Sequence, residues 1–264
     1  IDPARGLEHL IRTMGQPFGD SSILPTHWVS CAAREHVKVA LSGDGGDELF
    51  IGYERYMAAR ALARHWRVLK QLPRAMMTRS HPKGRWHKAG RLGEMARDYP
   101  TLGLGATETL FSLQQLADLT DEEPTRNMHC EPGDDALASL RWFDLWRYLP
   151  YDLLRKVDIA SMSVPGALEV RCPMLDHELA TAAIRAPVDQ LMPDGQRKGL
   201  LRQIARKHLP AELIDRPKMG FAIPIGEWFR SDDLPAPGSR MRTLLLDHLN
   251  PADAFGPISL NRRG

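Results

Sequence analysis

The sequence predicts an α/β protein in which helix far outweighs strand, on three observations. Val37-Lys38-Val39-Ala40-Leu41 is a short apolar run rich in β-branched residues, the kind that forms a buried strand of a parallel sheet. Ser42 to Gly46 supplies a glycine-rich acidic turn, and Asp47-Glu48 then opens a helical pattern through Phe50, Tyr53, Met57 and Ala61. From Glu48 to about Asp247 helical spacing is almost continuous, with no second convincing strand. One strand cannot make a parallel sheet, so its neighbours are expected upstream of Ile1, and the chain is expected to hold only the last strand or strands of that sheet.

In chain order, Leu7, Leu10, Ile11 and Met14 recur at helical spacing over residues 4–15, and Gly15 ends that helix. Gln16 to Ser22 is a loop of turn formers. Pro25 suits a first helical position, and Trp28, Val29 and Ala32 carry the helix to Glu35. Basic residues crowd Arg60 to Arg97, among them Arg64, Arg67, Lys70 and Lys88; either a nucleic-acid surface or the solvated faces of helices would read this way. The absence of a binding motif and the balancing acids favour the latter. Pro124 to Gly133 is expected to be a surface loop, and its adjacent His129-Cys130 lacks metal-ligand spacing. Ala136 to Trp146 reads as an amphipathic helix with Leu137, Leu140, Phe143 and Leu145 inward. Pro150 can begin the next helix, running to about Met162, and Asp176 reads as an N-cap. Pro235 to Ser239 is the clearest internal break.

Composition excludes more than it assigns. The 264 residues are 43% hydrophobic and 26% charged, ordinary for a globular domain, and a formal charge of +2 gives no argument for a nucleic-acid or anionic-membrane surface. Three scattered cysteines, Cys31, Cys130 and Cys172, make no disulfide framework, so a reducing cytoplasm is the expectation. No apolar run has the length of a membrane span. Opening on Ile1 and closing on Gly264, the chain is expected to be cut at both ends of a longer protein.

The chemistry centres on residues 42–48. Strand, glycine turn and helix place a ligand at the carboxyl end of a strand, where backbone N–H groups favour phosphate. Asp44, Asp47 and Glu48 would repel a bare phosphate, so a bridging Mg²⁺ is implied; the plainer reading is an acidic helix start capped by Asp47. On the helix after Pro150, Asp152 and Lys156 lie one turn apart, as a surface pair or as part of a site. Glu169 and Arg171 flank Val170 and share one side of an extended segment, as an ion pair or as ligand contacts. Lys198 opposes the dipole at a helix start, which hints at an offsetting anion, and Lys218 sits in a Pro/Gly loop.

Ser42-Gly43-Asp44-Gly45-Gly46-Asp47-Glu48-Leu49-Phe50 with Gly52-Tyr53 resembles the signature of the synthetase domain of glutamine-dependent asparagine synthetases. Gln16 to Ser22, Asp152 to Asp158, Leu168 to Asp176, Lys198 to Arg202 and Arg216 to Phe221 follow in the family's order. Residues 61–145 and those after Arg230 match loosely. The resemblance implies a partial domain of the adenine nucleotide alpha hydrolase-like class, with a recognisable core over 1–235 and an extension over 236–264. It implies an ATP- and Mg²⁺-dependent amide ligase acting on aspartate and glutamine-derived ammonia through a β-aspartyl adenylate. In this reading Ser42, Gly43 and Lys198 bind ATP, Asp47 holds Mg²⁺, and Asp44, Asp152 and Lys218 are catalytic. The partners implied are small molecules, an N-terminal glutaminase domain of the same chain and a second copy in a homodimer.

Two departures matter. The family's phosphate loop, Ser-Gly-Gly-x-Asp-Ser, does not occur in the 264 residues, so this chain alone is expected to be inactive, and Ile51 stands where relatives usually have glycine. Three other readings remain: the same adenylating chemistry on another acyl substrate (a β-lactam or lasso-peptide cyclase, a sugar amidotransferase), a non-catalytic helical module, and a Mg²⁺-dependent phosphohydrolase.

Overall fold

Apolar spacing and a terminating glycine define the first helix. α1 (Pro3–Met14) buries Leu7, Leu10, Ile11 and Met14 on one stripe, and Gly15, at φ 66, ends it. The computed structural model describes residues 3–15, 18, 20–73, 84–108, 113 and 129–216. Lys218, the extension over 236–264, and the loop stretches at 16, 17, 19 and 124–128 lie outside the described residues.

The described chain forms two compact units. One consists of residues 3–42 with Tyr151–Pro173. In it α1, α2 (Ile23–Arg34) and α7 (Arg155–Met162) pack around Leu10, Leu24 and Ala160, all fully buried. Pro25 falls inside α2 rather than at its start, still within the first turn, where a missing N–H costs no helix bond. The helix end expected near Met162 is observed at Met162.

The same unit holds a two-stranded parallel sheet. β1 (Val39–Leu41) pairs with β2 (Glu169–Arg171), Val39 opposite Glu169 and Leu41 opposite Arg171. Two flanking bonds extend the ladder: Glu169 N–H donates to Lys38 C=O at 3.0 Å, and Ser42 N–H to Arg171 C=O at 2.9 Å. This corrects two expectations. A neighbour of the supposedly lone strand lies inside the chain, in a Glu-Val-Arg segment too short and too charged to read as a strand. Nor is β1 buried among the described residues, since Leu41 is 73% exposed. Glu169 and Arg171 do share one side of the extended segment, as an ion pair at 2.7 Å.

The other unit, Gly43–Pro150 with Met174–Arg216, is helical among its described residues apart from an isolated bridge between Gly103 and Cys130. α3 (Gly46–Leu49), α4 (Arg55–Leu69), α5 (Arg85–Leu102) and α6 (Ala136–Phe143) precede α8 (His177–Arg185), α9 (Val188–Leu191), α10 (Gly199–Ala205) and α11 (Ala211–Ile214). Leu49, Ile51, Tyr56, Leu62, Leu102, Leu104, Leu140 and Leu191 are its most deeply buried large apolar side chains. Asp176 caps α8 as read, its carboxylate accepting from the N–H groups of Glu178 and Leu179.

Other helix boundaries also differ from the sequence reading, α6 ending at Phe143 where Trp146 was expected. The pattern from Asp47 to Ala61 is not one helix: α3 stops at Leu49 and Ile51 turns left-handed at φ 55 before α4 begins. Pro150 does not open a helix but lies inside a wide π-helical stretch, Asp144–Leu154, that continues into α7. The larger radius of such turns relieves the clash between a proline ring and the preceding carbonyls.

Candidate functional site

Three of the backbone bonds across the glycine turn shape it. Gly46 N–H donates to Gly43 C=O at 3.2 Å, Leu49 N–H to Gly45 C=O at 2.9 Å, and Gly52 N–H to Asp47 C=O at 2.8 Å. Gly45 has φ 87, and a Cβ there would collide with Leu175 Cδ2 at 2.2 Å, so glycine is required both for conformation and for space. The last of the three bonds folds residues 50–52 back over Asp47.

Beside that fold lies Lys198. Its Nζ is 3.0 Å from Asp47 Oδ1, and its N–H donates to Phe50 C=O at 3.2 Å. Lys198 is the N-cap of α10 and adopts φ 54, ψ 27, left-handed for a residue with a side chain. The anion its unfavourable place on the helix dipole called for is thus found in the protein itself, in Asp47. Both side chains keep partial contact with solvent, at 29% and 21% exposure.

Under the turn is a polar network that sequence reasoning missed. Glu48, entered there among possible cation-facing acids, is fully buried and accepts the Tyr53 hydroxyl proton. Burial raises its carboxyl above the usual range, only partly countered by that hydrogen bond. Arg55 lies against the rings of Tyr53 and Tyr148, which meet edge-on, 4.0 and 4.4 Å from their centroids. Its Nη2 lies 2.9 Å from Asp144 and 3.1 Å from Glu108, and Tyr56 donates to the same Asp144 oxygen at 2.7 Å. Burial alone would lower the Arg55 guanidinium; Asp144 and Glu108 outweigh it and raise it. A charged residue within the apolar stripe of α4 was the available signal.

In the strand-bearing unit, Ser42 Oγ is 3.4 Å from Cys172 Sγ. Of the two readings of Asp152 and Lys156, the surface pair is not what Lys156 forms: it is buried and its ammonium bonds Asp20, in the loop before α2. The N–H and hydroxyl of Ser22 also donate to Asp20, both at 2.8 Å. Burial alone would raise the Asp20 carboxyl; Lys156 and Ser22 outweigh it and hold it below the ordinary range. Asp152 is half-buried at the end of the π-helical stretch, and Asp44 is half-buried in the glycine turn.

Several motif readings resolve to structural roles. His129 bonds Thr101 C=O and Glu131, and the Cys130 thiol contacts the carbonyls of Glu131 and Ser139. Burial, with Asp144 and nearby glutamates, pushes that thiol up to about 12. Arg60, Arg64, Arg67, Lys70 and Lys88 are exposed. A cleft of about 770 Å³ lined by Arg141, Trp142, Ile184 and Met192 includes none of the predicted site residues. Buried Arg141 there donates to the carbonyls of Ala183, Ile184 and Ala186, closing the C-terminal end of α8.

The donors suit a magnesium ion of one kind only. No group of three or more His, Cys, Asp or Glu side chains that could enclose a metal occurs among the described residues. Magnesium held by one or two carboxylates, with phosphate oxygens and water completing its shell, needs no such cage. Asp47, already contacting a positive charge through Oδ1, fits that role.

The chain matches the asparagine synthase family over residues 2–245. A Mycobacterium tuberculosis protein named "Putative asparagine synthetase", glutamine-hydrolyzing, is 32% identical over 239 residues, covering 86% of this chain and 36% of the relative. Glutamine-hydrolyzing asparagine synthetase 1 of Bacillus subtilis is 27% identical over 244 residues, covering 86% of this chain and 37% of the relative. This chain therefore spans little more than a third of the length of these relatives. No solved structure matches it.

Proposed function

The chain belongs to the asparagine synthase family, and on that premise we propose that it is part of a longer glutamine-hydrolysing amide ligase that makes asparagine from aspartate, ATP and ammonia. In this reading the β-carboxylate oxygen of aspartate bonds to the α-phosphorus of ATP, and the bond to the bridging oxygen of pyrophosphate breaks. Ammonia then bonds to the acyl carbon, AMP leaves, and the nitrogen loses a proton. The observation that carries the reading is the contact of Asp47 with Lys198 beside the glycine turn. It puts together the carboxylate and the ammonium that a metal-bridged phosphate needs.

Ser42 and Gly43 hold the nucleotide, and Asp47 is the magnesium ligand. Lys198 and Lys218 offset charge growing on the departing pyrophosphate. Asp44 takes the proton from ammonia, and Asp152 is the further catalytic carboxylate. Magnesium, when bound, supplies hard positive charge to the phosphate oxygens. The parallel pairing of β1 with β2 and the strand–turn–helix order support a sheet of the adenine nucleotide alpha hydrolase-like class. Residues 1–235 form the synthetase core and 236–264 an extension. A glutaminase domain of the same polypeptide supplies ammonia, a second copy completes a homodimer, and the enzyme works in the cytoplasm. The 264 residues contain no Ser-Gly-Gly-x-Asp-Ser run, so turnover is assigned to the longer protein.

Pyrophosphate release measured in that protein with ATP, Mg²⁺ and ammonia tests the reading. Aspartate should support release, other carboxylates should not, and Asp47→Asn and Lys198→Met should remove it from folded protein. Release driven by a different acyl substrate, or robust turnover by the 264-residue chain alone, would overturn the corresponding part.

A further inference from the structure

The Asp47–Lys198 contact is fixed from the backbone outward. Lys198 and Ile51 are both L residues in left-handed conformation, at φ 54 and φ 55, where Cβ crowds the backbone. Their turns are tied together by the bond from Lys198 N–H to Phe50 C=O, and Gly52 N–H returns to Asp47 C=O. Where the two turns close there is no room for a methyl group: a Cβ on Gly52 would stand 1.8 Å from Asp47 Oδ1 and 2.4 Å from Lys198 Cε. Strain of this kind persists only where the surroundings over-determine it, and here it sets the ammonium 3.0 Å from the carboxylate oxygen.

We infer that Lys198 occupies the place of the divalent cation on Asp47, and that it must leave Asp47 before a metal can bind there. The inference rests on the assignment of Asp47 as metal ligand. An ammonium held at contact distance from Asp47 Oδ1 opposes a hard dication on that same oxygen, because two cations that close repel. Metal alone therefore meets a closed site. Metal arriving with phosphates meets one that opens at little loss, since the displaced ammonium finds a new anion. The contact makes the site selective for metal–nucleotide over free metal, which is a role for Lys198 before any chemistry begins.

Manganese binding without nucleotide, followed by the electron paramagnetic resonance signal of the free ion, tests this on the full chain. Lys198→Met keeps the length of the side chain and removes its charge; it should tighten Mn²⁺ binding about two- to fivefold, the scale of a part-exposed ion pair that no longer has to open. The gain should persist at 0.5 M salt, where charges not in contact are screened. Lys198→Gly, which suits the left-handed turn without strain, should show the same gain if the methionine variant folds poorly. Asp47→Asn should abolish binding in both backgrounds. If Asp47→Asn abolishes binding but neither Lys198 variant tightens it, the place-holding role is wrong and the metal assignment stands. If Asp47→Asn leaves Mn²⁺ binding unchanged, the metal assignment falls and this inference with it.

Discussion

A methyl group on Gly52 would lie 1.8 Å from Asp47 Oδ1, closer than any non-bonded contact allows. Gly52 is therefore a spatial requirement of the Asp47–Lys198 pair, although its own φ is not left-handed. Gly52→Ala should weaken binding of metal–ATP at least about tenfold, because a misplacement near 1 Å is enough to lose a positioned contact. Stability should fall by about 1–3 kcal/mol, the range for overpacking. Nucleotide titration and urea unfolding of the same preparation separate the two effects, and unchanged nucleotide binding would show that the pair does not matter for it.

Arg55 should be among the costliest positions to alter. Its guanidinium pairs with two largely buried carboxylates, with Asp144 at 0% and Glu108 at 8% side-chain exposure. Arg55→Met leaves their charge without it and should cost about 3–5 kcal/mol in urea unfolding. Arg55→Lys keeps the charge but loses the guanidinium's contacts with the Tyr53 and Tyr148 rings, so it should fall between methionine and wild type. Adding Asp144→Asn to Arg55→Met should recover part of the loss; strict additivity would mean the two are not coupled.

What the sequence disclosed was local, and what it concealed was long-range. The stripe of α1, the cap at Asp176 and the end of α7 at Met162 depend on neighbours within a turn or two, and each stands where it was expected. β2 escaped because a three-residue parallel strand is specified by its partner, here Val39–Leu41, and not by its own Glu-Val-Arg. Arg55 stands within the apolar stripe of α4, but its partners Asp144 and Tyr148 are about ninety residues away and could not be read from it. Ile51 could not be read as left-handed, because β-branched residues avoid that region. The motif pointed to residues 42–48, and the meeting of Asp47 with Lys198 needed the two turns to be seen together.

The Lys156–Asp20 pair makes a prediction about acid. The Asp20 carboxyl titrates below its unfolded value, so the stability it contributes is complete above the unfolded pKa, about 3.9, and is lost as pH falls through the folded one. Lys156→Met should cost about 3 kcal/mol at pH 7, and the gap to wild type should narrow on acidification below about pH 4. Equal losses at pH 7 and pH 3, by denaturant unfolding, would show that packing and not charge holds Lys156 to the loop.

Glu48 has the opposite sign. Its folded carboxyl is raised by burial, so the native state takes up a proton more readily than the unfolded chain. Stability is then greatest below the unfolded pKa, about 4.3, declines as pH rises toward the folded value and levels off above it. Glu48→Gln removes the titration, fits the same space, and still offers a carbonyl oxygen to the Tyr53 hydroxyl. Its melting temperature should lie near that of wild type at pH 4 and about 2–4 °C above it at pH 8, read by calorimetry across the series. Parallel curves would place the ionised carboxylate in a better-solvated setting than its complete burial implies. A gain in stability accompanied by weaker nucleotide binding would mean that Glu48 is retained for the rigidity it gives Tyr53 and the turn above it, at a cost the fold tolerates.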